Sequence, residues 1–268
     1  MRTVVHLSDL HFGRVDPAIL APLVKFIGEL KPDLVAVSGD LTQRARTAEF
    51  LAAKEFLAAI PFPQIVVPGN HDVPLYNPFS RFVRNLDRYT RYITPDLQPV
   101  FADSEILVVG MNTARAFTWK DGRINARQLQ QLRTTLQEPS AERTKIVVTH
   151  HPFDLPAGAS GRVVGRSRLA IKTLAACRVD LLLAGHFHIA DTSHTAKRYQ
   201  VPGYSAIIVS SGTSTSTRGR GQPNSFNVIR IDRADLAIER RTWRPTSALF
   251  DVQSIEMFRR ENDEWRRV

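Results

Sequence analysis

Residues 4–11, Val-Val-His-Leu-Ser-Asp-Leu-His, place a hydrophobic run directly before an Asp-x-His motif. Residues 34–40, Leu-Val-Ala-Val-Ser-Gly-Asp, repeat this arrangement, with a carboxylate that follows an apolar run and a glycine. Between the two, Asp16 and Pro17 are typical of a helix start, and apolar residues recur at helical spacing up to Leu30. The stretch therefore predicts a strand–helix–strand unit whose parallel strands bring their polar residues to one edge of a sheet.

The rest of the chain predicts an α/β fold. A helix over 47–59 and a strand over 64–67 complete a βαβαβ start, which favours parallel inner strands. Further helices are predicted over 78–92, after the cap Asn125, and over 167–178. Further strands are predicted over 105–110, 145–149, 180–184, 194–200, 205–210, 225–231 and 236–243. The dense run of strands after His188 favours an antiparallel second sheet.

Two stretches lack a clear period. Residues 212–224 are rich in Gly, Ser, Thr and Arg, which predicts a mobile loop. Arg218 and Arg220 in this loop either contact a substrate phosphate or, as the simpler expectation, stay solvated. Residues 244–268 are expected to form an arm that packs on the core and ends in a charged helix. No linker divides the chain, so we expect a single domain over 1–268.

Composition indicates an ordinary globular protein of a reducing compartment. The 268 residues are 43% hydrophobic and 23% charged, and the single Cys177 has no partner for an internal disulfide. No apolar run approaches the roughly 18 residues that a membrane-spanning helix needs, and no signal-peptide core precedes the first strand. We therefore expect a cytoplasmic protein without a membrane span.

The formal net charge of +10 raises the question of nucleic-acid binding. The excess comes mostly from arginines that are scattered along the chain instead of being gathered in one block. A generally cationic surface that attracts anions is the favoured interpretation, and nucleic acid is a less favoured partner than a small phosphodiester.

Five motifs at the ends of predicted strands have metal-binding chemistry. They are Asp9-Leu10-His11, Gly39-Asp40, Gly69-Asn70-His71-Asp72, His150-His151 and Gly185-His186-Phe187-His188. Any one residue of these could be a helix cap or a buried structural histidine, but unrelated caps would rarely combine in this way. Such a set can hold two metal ions about 3.5–4 Å apart, the usual arrangement for in-line attack on phosphorus. Imidazole ligands favour Mn, Fe, Zn or Co over Ca.

The order of these motifs resembles the signature of the calcineurin-like metallophosphoesterases, and all five are present between residues 9 and 188. Ser8, Leu41-Thr42 and Pro152 beside the motifs are most similar to the class III cyclic nucleotide phosphodiesterase branch. The resemblance implies a four-layer α/β-β/α sandwich with two mixed sheets flanked by helices. It also implies a ligand set: Asp9, His11 and His188 for one metal, Asn70, His150 and His186 for the other, and Asp40 as the bridge.

The resemblance further implies roles at the substrate. A hydroxide that bridges the metals would attack phosphorus in line, and the catalytic His71 would contact the phosphate or protonate the leaving alkoxide. Asn70, His71 and His151 are the candidate substrate-binding residues, although His151 has the alternative of simple packing. Asp72 either orients His71 or caps the following loop.

Hydrolysis of small phosphodiesters, with 3′,5′-cyclic nucleotides such as cyclic AMP as the leading substrates, is the function that these inferences favour. Alternatives are 2′,3′-cyclic nucleotides, glycerophosphodiesters, and DNA or RNA, and a non-catalytic scaffold is a remote alternative. Purple acid phosphatases are disfavoured because they carry a tyrosine near the first motif, where this chain has His11. Lipid A precursor pyrophosphatases are disfavoured because they carry arginine at the position of His71. Since small relatives are often dimers, a homodimer is a further expectation.

Overall fold

The computed structural model describes residues 1–75, 81–82, 85–118, 120–137, 143–219, 221–261 and 264–268. Its helices are α1 (Pro17–Leu30), α2 (Thr47–Ala58), α3 (Asp87–Tyr92), α4 (Ala126–Leu136) and α5 (Ser167–Ala176). Its first strands are β1 (Arg2–Leu7), β2 (Leu34–Val37), β3 (Gln64–Val66), β4 (Val100–Ala102), β5 (Ile106–Gly110), β6 (Thr144–Val148) and β7 (Leu181–Ala184). The later strands are β8 (Asp191–His194), β9 (Ile207–Ser210), β10 (Ser225–Asp232), β11 (Asp235–Arg244), β12 (Leu249–Glu261) and β13 (Glu264–Arg267).

The strands form two mixed sheets. In the first, the order is β13-β12-β11-β10-β1-β2-β3, with β1, β2 and β3 parallel and β10 antiparallel to β1. In the second, the order is β4-β5-β6-β7-β9-β8, with β5, β6, β7 and β9 parallel. The predicted parallel βαβαβ start is confirmed.

The two sheets stack face to face between two layers of helices. Val5 of the first sheet packs with Leu23 of α1, and Val147 of the second sheet packs with Leu132 of α4. A third apolar cluster lies between the sheets and contains side chains of β1, β2, β3, β5, β6, β7 and β9. The predicted four-layer sandwich is therefore confirmed.

Local capping chemistry explains where two of the helices begin. The Asp16 carboxylate accepts a hydrogen bond from the Ala18 amide at 3.0 Å, and Pro17 occupies the first helical position of α1. At α4 the side chain of Asn125 accepts from the Gln128 amide while Gln128 accepts from the Asn125 amide, which is a capping box. Both caps were predicted from the sequence.

Three predictions for the second half of the chain are wrong. The strand expected over 194–200 is instead β8, which ends at His194, followed by a 3-10 turn over Thr195–Lys197. The later strands do not form a separate antiparallel sheet, because β10 pairs with the free edge of β1 and β11 to β13 follow it outward. The arm over 244–268 supplies strands β12 and β13 to this sheet, so no charged helix ends it.

Three further expectations concern the helix over 78–92, the burial of Cys177 and a membrane span. Part of the helix predicted over 78–92 lies outside the described residues, and its described end is α3. Cys177 is buried at the end of α5, as expected for a small apolar side chain. Within the described ranges, no helix has both the length and the apolar character that crossing a membrane requires.

Candidate metal centre

The five motifs meet at the carboxyl ends of the parallel strands. Asp9 and His11 follow β1, Asp40 follows β2 and Asn70 follows β3, all in the first sheet. In the second sheet, His150 follows β6 while His186 and His188 follow β7. Nε2 of His11 lies 3.1 Å from Nε2 of His188, so the two sheets contribute side chains to the same site. The convergence predicted from the sequence is present.

The backbone at this edge is strained. Five of the motif residues have a positive φ: Asp9 (52°), His11 (50°), Asp40 (51°), His186 (76°) and His188 (57°). Such a conformation costs about 1–3 kcal/mol for each residue that is not glycine, and it concentrates at functional sites. These residues follow β1, β2 and β7, so the chain turns sharply just after each of these three strands.

Backbone carbonyls fix the orientation of three imidazoles. Nδ1 of His11 lies 3.3 Å from the Thr42 carbonyl, Nδ1 of His150 lies 2.8 Å from that of Ser38, and Nδ1 of His188 lies 3.0 Å from that of Arg218. A carbonyl oxygen only accepts, so each Nδ1 carries the proton and donates it. In the neutral ring each Nε2 is then an acceptor, and it points into the site.

Asp9, His11 and His188 form the first group of converging acceptors. Their ligand atoms all lie within 4.8 Å of one another, and Nε2 of His188 is 3.3 Å from Oδ1 of Asp9. The other carboxylate oxygen of Asp9 accepts from the Ser8 hydroxyl and the His186 amide, whereas Oδ1 is buried without a hydrogen-bond donor. Buried acceptors that face one another are unfavourable unless a cation lies between them, so this group fits a metal ion.

Asp40 and His150 are the centre of a second group. Nε2 of His150 lies 3.3 Å from Oδ2 of Asp40, 3.2 Å from Oδ1 of Asn70 and 3.3 Å from Nδ1 of His186. The same Asp40 oxygen is 3.7 Å from Nε2 of His11 in the first group. Asp40 thus lies between the two groups, which is the position that a bridging carboxylate requires.

The electrostatics of these buried residues favour added positive charge. Burial works against ionisation of Asp9 and Asp40, but the neighbouring histidines hold the pKa of both carboxyls below its usual value. Burial also opposes the charged form of His150, yet the Asp40 carboxylate outweighs it and raises the pKa of His150 to about 9. For His186, burial and the adjacent His150 lower the pKa to about 3, which keeps a neutral ring available as a ligand.

Two glycines allow the segments that follow neighbouring strands to approach one another closely. A Cβ on Gly69 would overlap the Asp40 carboxylate, and a Cβ on Gly185 would overlap the Ser8 hydroxyl and crowd Oδ2 of Asp9. Glycine in these two motifs is therefore a steric requirement of the acceptor groups and not only a turn signal.

His71 lies beside the acceptor groups without joining them. Its amide donates to Oδ1 of Asp40 at 2.8 Å, its Nδ1 donates to the Gln43 carbonyl at 2.8 Å, and its Nε2 lies 3.0 Å from a guanidinium nitrogen of Arg218. Burial lowers the pKa of His71. Asp72 does not orient this ring, because its carboxylate accepts from the amides of Leu41, Thr42 and Gly69. Of the two roles considered for Asp72, the structure supports loop capping.

His151 is adjacent to His150 but differs from it in its contacts. Its Nδ1 lies 2.8 Å from the Thr113 hydroxyl, and its Nε2 lies 3.0 Å from the Lys120 carbonyl. Both ring nitrogens therefore have protein partners, although they lie within reach of the nitrogens of His150 and His186. Substrate binding by His151 stays a prediction, and these contacts favour the alternative of packing.

A mobile loop was predicted over 212–224, and this prediction is wrong for residues 213–216, which are buried and hydrogen-bonded. The Thr213 hydroxyl donates to the Asp9 carbonyl and the Thr215 hydroxyl to the Leu10 carbonyl, both at 2.7 Å, and Ser214 exchanges hydrogen bonds with the backbone of Ser8. Residues 213–216 are almost fully buried behind the first motif. The run Thr-Ser-Thr-Ser could have indicated this supporting role, because hydroxyl groups can form hydrogen bonds with the backbone of a strained turn. Arg220 lies outside the described residues.

Comparison with known families agrees with this geometry. The sequence profile of the calcineurin-like phosphoesterase family matches residues 2–190, which is most of the chain and includes all five motifs.

Curated relatives match over parts of their length. A glycerophosphodiester phosphodiesterase GpdQ of Enterobacter lignolyticus is 36% identical over 26% of this chain and 29% of its own length. A probable GpdQ of Arcobacter nitrofigilis is 25% identical over 71% of this chain and 73% of its own. A probable cyclic nucleotide phosphodiesterase of Synechococcus is 26% identical over 56% of this chain and 58% of its own.

Solved structures support the fold alone. The purple acid phosphatase PPD1 of yellow lupin superposes with a TM-score of 0.70 at 16% identity, covering 95% of this chain and 53% of that one. GAP50, the anchor in the inner membrane complex of Plasmodium, superposes with a TM-score of 0.60 at 16% identity, covering 95% of this chain and 87% of that one.

Proposed function

The chain belongs to the calcineurin-like phosphoesterase family, and we propose that it hydrolyses small phosphodiesters at a two-metal centre. The observation that carries this proposal is the set of buried acceptors at the carboxyl ends of both sheets, including Oδ1 of Asp9, which has no donor. A phosphodiester is an anion, and a centre whose cations exceed its two carboxylates would attract it.

The proposed ligand set divides into two halves. Asp9, His11 and His188 hold one ion, Asn70, His150 and His186 hold the other, and Asp40 contacts both. The mixture of imidazole, carboxylate and amide donors suits Mn²⁺, Fe²⁺ or Fe³⁺, Zn²⁺ or Co²⁺. Ions bound there would supply Lewis acidity and lower the pKa of bound water.

The chain's own residues orient the proposed ligands of this centre. The carbonyls of Thr42, Ser38 and Arg218 hold three imidazoles in the tautomer that binds a metal through Nε2. His71 stands next to Asp40 at the edge of the centre, where a phosphoryl oxygen of the substrate would lie. Asn70 and His71 are accordingly proposed to contact the substrate.

Two classes of diester are supported to a similar degree. Relatives of this chain are named as glycerophosphodiester phosphodiesterases and as a cyclic nucleotide phosphodiesterase. We propose 3′,5′-cyclic nucleotides such as cyclic AMP, with glycerophosphodiesters as the equal alternative. Every ligand position is filled by a metal-binding residue, which argues against a scaffold without activity.

The experiment is turnover by metal-free protein reloaded with Mn²⁺. The substrates are bis-p-nitrophenyl phosphate, p-nitrophenyl phosphate, 3′,5′- and 2′,3′-cyclic AMP, and glycerophosphocholine, measured side by side. We expect metal-dependent cleavage of diesters with the monoester slow, and the relative rates would rank the natural classes. Inactivity on all diesters with two bound metals verified would contradict the proposal, and cleavage of oligonucleotides alone would replace it by a nuclease.

The remaining expectations about partners stay predictions. They are a cytoplasmic location, a single domain over 1–268, a homodimer, and nucleic acid as a less favoured partner. Size-exclusion chromatography with light scattering would test the dimer directly.

A further inference from the structure

Arg218 contacts two of the motifs although it lies in a segment that its composition marks as a solvated loop. Its backbone carbonyl accepts from Nδ1 of His188 at 3.0 Å, so the main chain at this position supports the first acceptor group. Its guanidinium has one nitrogen 3.0 Å from Nε2 of His71 and 3.4 Å from Oε1 of Gln43. The side chain is half-buried at the edge of the centre.

The contact with Arg218 determines the protonation pattern of His71. A guanidinium only donates hydrogen bonds, so Nε2 of His71 must accept. The Gln43 carbonyl only accepts, so Nδ1 of His71 must carry the proton. Both contacts agree on one tautomer, a neutral ring with its lone pair on Nε2. A ring held in this way orients the guanidinium and carries no positive charge of its own.

The two side-chain atoms that the guanidinium of Arg218 contacts, Nε2 of His71 and Oε1 of Gln43, carry no negative charge. Three half-buried arginines elsewhere are paired with carboxylates: Arg230 and Arg241 with Glu239, and Arg260 with Asp180. Within the described part of the chain, no carboxylate lies within ion-pair distance of Arg218. Asp9 and Asp40 are nearby, but their oxygens are directed at the acceptor groups. A guanidinium beside a metal centre without a carboxylate is suited to an anion from outside.

We propose that Arg218 binds the phosphoryl group of the substrate, and that His71, as a neutral acceptor, aims the guanidinium at it. This inference rests on the proposed function, since it assumes a phosphoester in the same site. A guanidinium has five N–H donors, so Arg218 can keep its bond to His71 and still donate to two phosphoryl oxygens. Arg218 then supplies positive charge to the phosphoryl group, and His71, besides its own proposed contact with the substrate, positions the guanidinium.

The first test compares Arg218→Ala and Arg218→Lys with the wild-type protein, all loaded with Mn²⁺. Arg133→Ala is the matched control, since Arg133 is an exposed arginine on α4. We expect Arg218→Ala to weaken binding of inorganic phosphate about tenfold or more and to lower kcat/KM for bis-p-nitrophenyl phosphate about 10–100-fold, the range for a lost charged hydrogen bond. Metal content should not change, because the carbonyl that holds His188 remains.

Partial recovery separates a charge effect from a structural one. Arg218→Lys should recover part of the loss because it keeps the charge without the planar fork, and added guanidine should raise the activity of Arg218→Ala. Phosphate affinity is measured by calorimetry, and this measurement does not depend on catalytic turnover. An inactive wild-type enzyme would therefore count against the proposed function alone, whereas equal phosphate affinity in wild type and Arg218→Ala would overturn this inference. Loss of metal from Arg218→Ala would also overturn it in favour of a purely structural role.

The second test addresses the coupling of Arg218 to His71. If His71 acts in part through Arg218, the double variant His71→Ala/Arg218→Ala should lose less kcat/KM than the product of the two single losses. Losses that multiply would show an independent role for His71. Nitrogen NMR of the Zn²⁺-loaded protein with bound phosphate should find His71 neutral with the proton on Nδ1, and a doubly protonated ring would contradict the proposal.

Discussion

Buried carboxylates at the two ends of the sheets differ in their hydrogen-bond partners. At the amino ends, Asp180 accepts from the Trp265 indole at 3.0 Å and the Lys145 amide at 2.8 Å, and it also pairs with Arg260. At the carboxyl ends, Asp9 and Asp40 each direct an oxygen at Nε2 of a histidine whose Nδ1 already donates to a backbone carbonyl. Both oxygens of Asp180 have protein donors, whereas Oδ1 of Asp9 has none.

This difference shows which observation identifies the site. A buried carboxylate alone does not indicate a metal, because Asp180 is also buried and both of its oxygens accept hydrogen bonds from protein donors. The distinguishing features are an oxygen without a donor and the strained positive-φ backbone, which occur together at Asp9. A cation held at Asp9 would compensate this unfavourable arrangement.

The largest effect is expected from Asp40→Ala. It removes the carboxylate that lies between the two acceptor groups, so turnover of bis-p-nitrophenyl phosphate should fall about a thousandfold or more with any metal. Steady-state rates and elemental analysis of bound metal are the measurements. Retention of a substantial fraction of wild-type turnover would refute the two-metal mechanism.

A smaller but sharper effect is expected from Gly185→Ala, which changes no ligand. The added methyl would overlap the Ser8 hydroxyl and crowd Asp9, so metal content and activity should both drop by about tenfold or more. Gly28→Ala in α1 is the matched control, because a Cβ there meets nothing within 4 Å and a helical alanine should stabilise by about 0.5–1 kcal/mol. Unchanged metal binding in Gly185→Ala would show that the close approach of the strands is not required.

The smallest effect on chemistry is expected at the opposite end of the sheets. Asp180→Asn leaves Arg260 without its carboxylate, so the free energy of unfolding should decrease by about 1.5–3 kcal/mol. The specific activity of the folded protein should stay at the wild-type level. Denaturant unfolding measures the free energy of unfolding, and an activity assay on the same sample measures the specific activity. If Asp180→Asn lost activity without losing stability, the amino and carboxyl ends of the sheets would not be independent.

Local signals in the sequence predicted the part of the fold that builds the centre. The helix cap at Asp16, the alternation of strands and helices, and the polar residues after each strand were enough to place the motifs at one edge. The pairing of β10 with β1 joins residues that are more than 200 positions apart, for example Val5 with Val228, and no local pattern encodes such a contact.

The supporting residues of the centre were harder to predict. Composition predicted a loop at Thr213, Ser214 and Thr215. It does not reveal that their hydroxyls form hydrogen bonds with the backbone at the first motif. Arg218 likewise follows the last motif by some thirty residues, and only the fold brings it to His71. The strain at Asp9 and His11 is also invisible in the sequence, because neither residue type requires a positive φ.

The most direct test of the metal centre is a crystal structure of the Mn²⁺-loaded protein with anomalous scattering data collected for manganese. Two anomalous peaks are expected about 3.5–4 Å apart, one among Asp9, His11 and His188 and one among Asn70, His150 and His186, with Asp40 contacting both. No peak at the carboxyl ends of the strands, or a single ion held without Asp40, would contradict it.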